Sequence, residues 1–108
     1  MAKYLLIEPR DPFASHDVSQ FYRLAVALAR SRNKVTVLLV EDGVLPARPD
    51  AETHVLDELR AAGVEILADD TSLRARGICA ERLAPAVKTA EADAVVVRFT
   101  DGGKTIWH

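Results

Sequence analysis

The stretch KVTVLLV, Lys34–Val40, decides how the rest of the chain folds. Apart from Lys34 and Thr36 it is wholly apolar, and most of its residues are β-branched. A strand with one wet face alternates apolar and polar residues. A nearly unbroken apolar run is what a strand buried on both faces requires, and such strands belong to parallel sheets covered by helices. The segment EDG, residues 41–43, ends it.

Upstream, KYLLIE (Lys3–Glu8) is a second short apolar run, closed by PRDP, whose two prolines forbid a regular continuation. It reads as a buried strand and its exit loop. Between the two strands, Val18, Phe21, Ala25 and Leu28, with Tyr22 and Leu24 alongside, recur at helical spacing. Asp11 before Pro12 and Ser15 before Asp17 both resemble N-terminal caps of this helix, and Ser15 is preferred. Downstream, a loop VLPARPD leads to Asp50, which can cap a helix with Val55, Leu56 and Leu59 facing inward. Gly63 ends that helix in the left-handed conformation. A third strand, VEILA (Val64–Ala68), is followed by a helical segment up to about Glu91 and a fourth strand, AVVVRF (Ala94–Phe99). DGG then reads as a tight turn between strands, with a last strand KTIWH.

Strands alternating with helices predict right-handed βαβ units. The expected architecture is a single domain over residues 1–108, a three-layer α/β/α sandwich with a mostly parallel sheet of about five strands. Ligands of such sheets sit outside the carboxyl ends of the strands, so the loops after Glu8, Val40, Ala68 and Phe99 matter most.

Composition narrows the function. Hydrophobic residues make up 49% and charged residues 28%, a balance expected of a soluble globular domain. A formal charge of −2 disfavours direct binding to a nucleic-acid backbone. The opening MAKYLLIEPRDPF lacks the apolar core and cleavage site of a signal peptide, so a cytoplasmic location and no membrane association are expected. The single cysteine, Cys79, cannot form an internal disulfide.

Few motifs carry chemistry. Ser15-His16-Asp17 is no catalytic triad, because adjacent helical residues point in different directions. Neither G-x-G-x-x-G nor G-x-x-x-x-G-K-[ST] occurs. His16, His54, His108 and Cys79 are not at metal-ligand spacing, so no metal is expected. The acidic pair in LADD, Leu67–Asp70, reads as a solvated turn with Asp70 or Ser72 capping the next segment. Arg74, Arg76 and Arg82 are either solvated charge or a cationic rim for an anionic ligand.

Cys79 leaves two readings open. A helix beginning near Ile78–Ala80 would put the thiol at its N-terminus, where the dipole, Arg76 and Arg82 favour thiolate. A helix beginning at Ala84, with Pro85 as its first residue, would leave Cys79 in a loop. Free cysteine is also among the most buried residue types.

Several segments together resemble the DsrE/DsrF/DsrH family of small sulfur-relay proteins: DPFASHD into FYRLAVALA, LLVEDGVLPAR, AAGVEILAD followed by SLRARGI, and AEADAVVV. The resemblance covers nearly the whole chain. It implies homo- or hetero-oligomers that carry sulfane sulfur as a cysteine persulfide, passing it from donor to acceptor proteins without a cofactor. Members that transfer sulfur usually place the cysteine at the end of the third strand, where this chain has Ala68. The departure admits two expectations. Either the sulfur site has moved to Cys79, with Arg74 and Arg76 favouring thiolate or docking an anionic partner, or the chain is a non-catalytic binding or assembly subunit. In the second case a cleft rimmed by Ser15, Asp42 and Ser72 would hold a ligand or partner segment. Trp107, in the apolar closing stretch, is expected to pack on the protein's own helices or to form a subunit interface.

Overall fold

The computed structural model describes residues 2–49, 51 and 55–108. Five strands form one sheet: β1 (Lys3–Glu8), β2 (Lys34–Leu39), β3 (Glu65–Asp69), β4 (Val87–Ala90) and β5 (Gly103–Trp107). Their spatial order is β4-β3-β2-β1-β5 and every pairing is parallel. The helices are α1 (Asp17–Arg30), a 3-10 helix at Glu41–Ala47, α2 (Val55–Ala61), α3 (Asp70–Ala75) and α4 (Ala92–Arg98).

The topology explains the layers. Three successive crossovers step from β1 to β4 in one direction, so right-handed connections put α1, α2 and α3 on one face. The fourth runs back across the whole sheet to β5 and places α4 on the other face. The strand KVTVLLV is accordingly buried on both sides. Val35, Val37 and Leu39 join Val18, Phe21, Ala25, Leu59 and Leu73 in the larger core. Leu38 and Val40 join Leu5, Ile7, Leu67, Val95 and Phe99 beneath α4.

Several expectations are corrected. AVVVRF is not a strand but the body of α4. Its β-branched residues favour extended structure locally, yet the return crossover leaves one sheet face to be covered, and Val95 and Phe99, four residues apart on a helix, bury against it. The expected helix from the Cys79 region to Glu91 does not form. Its end is the edge strand β4, VKTA, whose exposed Lys88 and Thr89 gave no apolar signal. Residues 101–102 therefore link a helix to a parallel strand rather than two hairpin strands. The loop after β2 is instead a 3-10 helix containing Pro46, packed so closely that a Cβ on Gly43 would lie 2.0 Å from the Glu8 carbonyl oxygen. Ser15 does not cap α1, since His16 occupies the N-cap and no side chain among the described residues caps it. Asp11 instead organises a separate turn, its Oδ1 accepting from the Phe13 N–H and its carbonyl accepting from Ala14 and Ser15. Gly63 takes φ +83° as expected, and the Asp50 cap lies outside the described residues.

Candidate functional site

The carboxyl ends of β2 and β3 are tied together by polar side chains. Asp69, the last residue of β3, is the cap of α3: its Oδ2 accepts from the Ser72 N–H at 3.1 Å and from the Ser72 hydroxyl at 2.7 Å. Its Oδ1 accepts from the Ala92 N–H at 3.1 Å, so the same carboxylate satisfies a free amide at the start of α4. The capping role expected of Asp70 or Ser72 thus belongs to Asp69. Ser72 Oγ in turn accepts from the Glu41 N–H at 2.9 Å, holding Glu41 at φ +50° where the 3-10 helix begins. Arg76 closes the group, with Asp42 at 3.0 Å and Glu41 at 3.5 Å. Asp42, Ser72 and Arg76 therefore meet, as part of a network that locks α3 to the 3-10 helix.

The RARGI segment then sets where Cys79 lies. Gly77 takes φ +67°, its N–H bonds the Arg74 carbonyl and the Ile78 N–H bonds the Leu73 carbonyl. This Schellman ending needs a residue tolerant of the left-handed conformation at Gly77 and an apolar residue after it, and Ile78 tucks against the core that holds Leu73. Next to the buried Ile78, Cys79 is exposed. It stands in a loop beyond α3, at no helix N-terminus.

Cys79 lines a cavity of about 460 Å³ together with Arg48, Pro49, Gly77, Ile78 and Arg82. Arg48 reaches it from the end of the 3-10 helix, which the loop after Cys79 grips through an Ala84 N–H to Ala47 carbonyl bond of 2.8 Å. Arg48 Nε donates to the Leu45 carbonyl at 3.0 Å, which orients the guanidinium. Among the described residues neither Arg48 nor Arg82 is paired with a carboxylate. Of the arginines expected to flank the thiol, Arg82 does so. Arg74 pairs with Asp70 at 3.0 Å on the surface of α3, and Arg76 is committed to Glu41 and Asp42. Arg48 was not foreseen, because it lies far from Cys79 in sequence and no motif marks it. Ser15, half-buried at the entry to α1, belongs to neither group.

A second polar cluster lies at the end of β1. Glu8 is fully buried. Its Oε2 accepts from the Arg10 N–H at 3.0 Å, and its Oε1 meets Nδ1 of His108, the residue after β5. The His108 ring stacks on Phe21 at 4.8 Å between centroids. Among the described residues the hydroxyl of Tyr22 is buried without a hydrogen-bond partner. Burial pushes its phenol well above the ordinary value, and the negative charges of Glu8 and Asp11 add to the rise, so it stays neutral.

Among the described residues there is no group of three or more His, Cys, Asp or Glu side chains suited to a metal ion, and no helix is long and apolar enough to cross a membrane.

The fold matches solved structures. The crystal structure of ychN protein from E. coli superposes with a TM-score of 0.87 at 20% identity, and all of each chain is covered. A protein of unknown function, MTH1491 from Methanobacterium thermoautotrophicum, matches with a TM-score of 0.75 at 23% identity, again over the whole of both chains. Comparison of the sequence with curated proteins finds no match. A family model described as DsrH like protein matches residues 12–102, which takes in the Asp69 network, Cys79 and both arginines of its cavity. The chain belongs to the DsrH-like family, whose general role is in sulfur relay.

Proposed function

We propose that the protein is a sulfur carrier that holds sulfane sulfur as a persulfide on Cys79, taking it from a donor protein and passing it to an acceptor. The observation that carries this reading is the exposed thiol in a cavity flanked by Arg48 and Arg82, guanidiniums without a carboxylate partner among the described residues. In the loading step the Cys79 thiolate attacks the terminal sulfur of a donor persulfide. The new S–S bond forms as the donor's S–S bond breaks, the donor leaves as thiolate, and no net oxidation occurs. The guanidiniums beside the thiol favour an anionic persulfide or polysulfide in the cavity and the persulfide anion it produces. The chain's own residues suffice for this exchange, which needs no metal or cofactor.

A cytoplasmic setting and assembly with other relay subunits complete the proposal. The exposed side chain of Trp107, on β5 at the open edge of the sheet, supports an interface there. One observation favours the alternative, an assembly subunit that transfers nothing. The usual family position at the end of the third strand carries Ala68, which is fully buried.

Loading the protein with a cysteine desulfurase and cysteine, or with polysulfide, separates the two. The carrier reading expects an added mass of about 32 Da, one sulfur, absent in Cys79→Ser. It also expects Arg48→Ala and Arg82→Ala to slow loading by anionic polysulfide several-fold. No adduct under conditions that load an established persulfide carrier selects the assembly subunit.

A further inference from the structure

The order β4-β3-β2-β1-β5 reverses its direction of growth between β1 and β5. In an open parallel sheet this switch point leaves a crevice outside the carboxyl ends of the two strands, because the connections depart from them to opposite sides. Glu8 ends β1 and His108 comes directly after β5, so the carboxylate–imidazole pair stands at that crevice. A cavity of about 300 Å³ opens there, lined by Asp17, Gln20, Phe21, Leu24 and His108.

The pair has the form of an oriented base. Glu8 is fully buried, and a buried carboxylate fixes the facing ring nitrogen as the one that carries the proton. His108 Nε2 is then left as an acceptor, and it has no partner among the described residues. Stacking on Phe21 holds the ring plane. The occupant must present a proton to Nε2. It must also tolerate the buried Glu8 carboxylate and Asp17, whose charge Arg10 partly offsets at 3.6 Å, and rest an apolar stem on Phe21 and Leu24. An alcohol can donate a hydrogen bond but is far too weak an acid to give its proton to imidazole. A thiol is a far stronger acid than an alcohol and can give its proton to imidazole once its thiolate is consumed.

We infer that Glu8 and His108 form a proton-accepting dyad for a thiol bound in the crevice between the ends of β1 and β5. The thiol proton passes to His108 Nε2, the imidazolium so formed is paired with the Glu8 carboxylate, and the sulfur is left as thiolate. No electron is transferred. The choice of a thiol rests on the sulfur-relay reading, whereas the dyad itself is independent of Cys79. The two cavities then differ in charge: the arginine-flanked one takes anionic sulfur, and this one takes the neutral thiol of a partner or small molecule and activates it.

The test uses the Cys79→Ser protein, which has no thiol of its own. N-acetylcysteamine is titrated while the histidine ring resonances are followed by NMR. The expected result is a saturable shift of the His108 ring as the thiol fills the crevice, with the proton still on sulfur because nothing there consumes the thiolate. The same protein should speed alkylation of N-acetylcysteamine by iodoacetamide several-fold, and the added change His108→Gln, which can still donate to Glu8 but takes up no proton, should abolish the gain. A His108 signal unmoved by the thiol, or an alkylation gain that survives His108→Gln, would overturn the inference. Sulfur loading of Cys79 is read separately on the wild-type chain, so failure of either proposal leaves the other standing.

Discussion

Replacing Asp69 by alanine removes three hydrogen bonds that converge on one carboxylate: two from Ser72 and one from the Ala92 N–H. The N-cap bond of α3 accounts for about 1 kcal/mol. The Ser72 hydroxyl and the Ala92 N–H each lose a charged acceptor in a partly buried setting, where a donor left unsatisfied costs about 1–3 kcal/mol. Water can reach part of the site, so the lower end applies to each, and the total falls at about 2–4 kcal/mol. For a domain of this size such a loss lowers Tm by on the order of 10–20 °C. Asp69→Asn separates the two helices. Its amide oxygen can still accept from Ser72, but its NH2 then faces the Ala92 N–H, donor against donor, so about half the loss should remain. Urea unfolding of wild type, Asp69→Ala, Asp69→Asn and Ser72→Ala gives the free energies, and a double-mutant cycle gives the Asp69–Ser72 coupling. A loss below about 0.5 kcal/mol for Asp69→Ala, or strict additivity with Ser72→Ala, would refute the idea that this carboxylate ties α3 and α4 to the sheet.

Two further outcomes rest on local geometry. Arg32 ends α1 at φ +67°, a position where glycine carries no steric penalty, so Arg32→Gly should raise stability by about 0.5–1 kcal/mol in the same assay, and a loss would contradict the reading. Burial alone would raise the Glu65 carboxyl, but hydrogen bonds from Thr36 and Arg98, with the charges of Arg98 and Lys34, outweigh it and hold the group below its ordinary range. A lowered folded-state value stabilises the fold above the unfolded carboxyl's pKa and the gain disappears as pH falls through the folded value. The gap in urea midpoint between wild type and Glu65→Gln should therefore be present at neutral pH and close under acid, whereas a gap constant with pH would exclude this linkage.

The central strands were legible because burial on both faces leaves a continuous apolar run. Lys3–Glu8 was read with its observed bounds, and Lys34–Leu39 and Glu65–Asp69 came within a residue or so. Gly63 declared itself through a chain conformation that few residues adopt. What escaped was set by long-range geometry. The valines of α4 look like a strand until the β4-to-β5 crossover is known to need a cover for a bare sheet face. Edge strand β4 has too little buried surface to announce itself. Arg48 joins Cys79 only because the 3-10 helix and the loop before β4 are hydrogen-bonded together. The Glu8–His108 pair spans almost the whole chain. One signal for it was present: a glutamate closing an otherwise apolar buried strand requires a partner from somewhere else in the fold.

Cyanolysis of the sulfur-loaded protein tests the central claim most directly. After exposure to a persulfide donor and removal of excess reagent, treatment with cyanide should release one sulfane sulfur per chain as thiocyanate from the wild type, and none from Cys79→Ser. A wild-type chain that releases none, or a Cys79→Ser chain that releases as much, would contradict the assignment of the sulfur to the exposed thiol between Arg48 and Arg82.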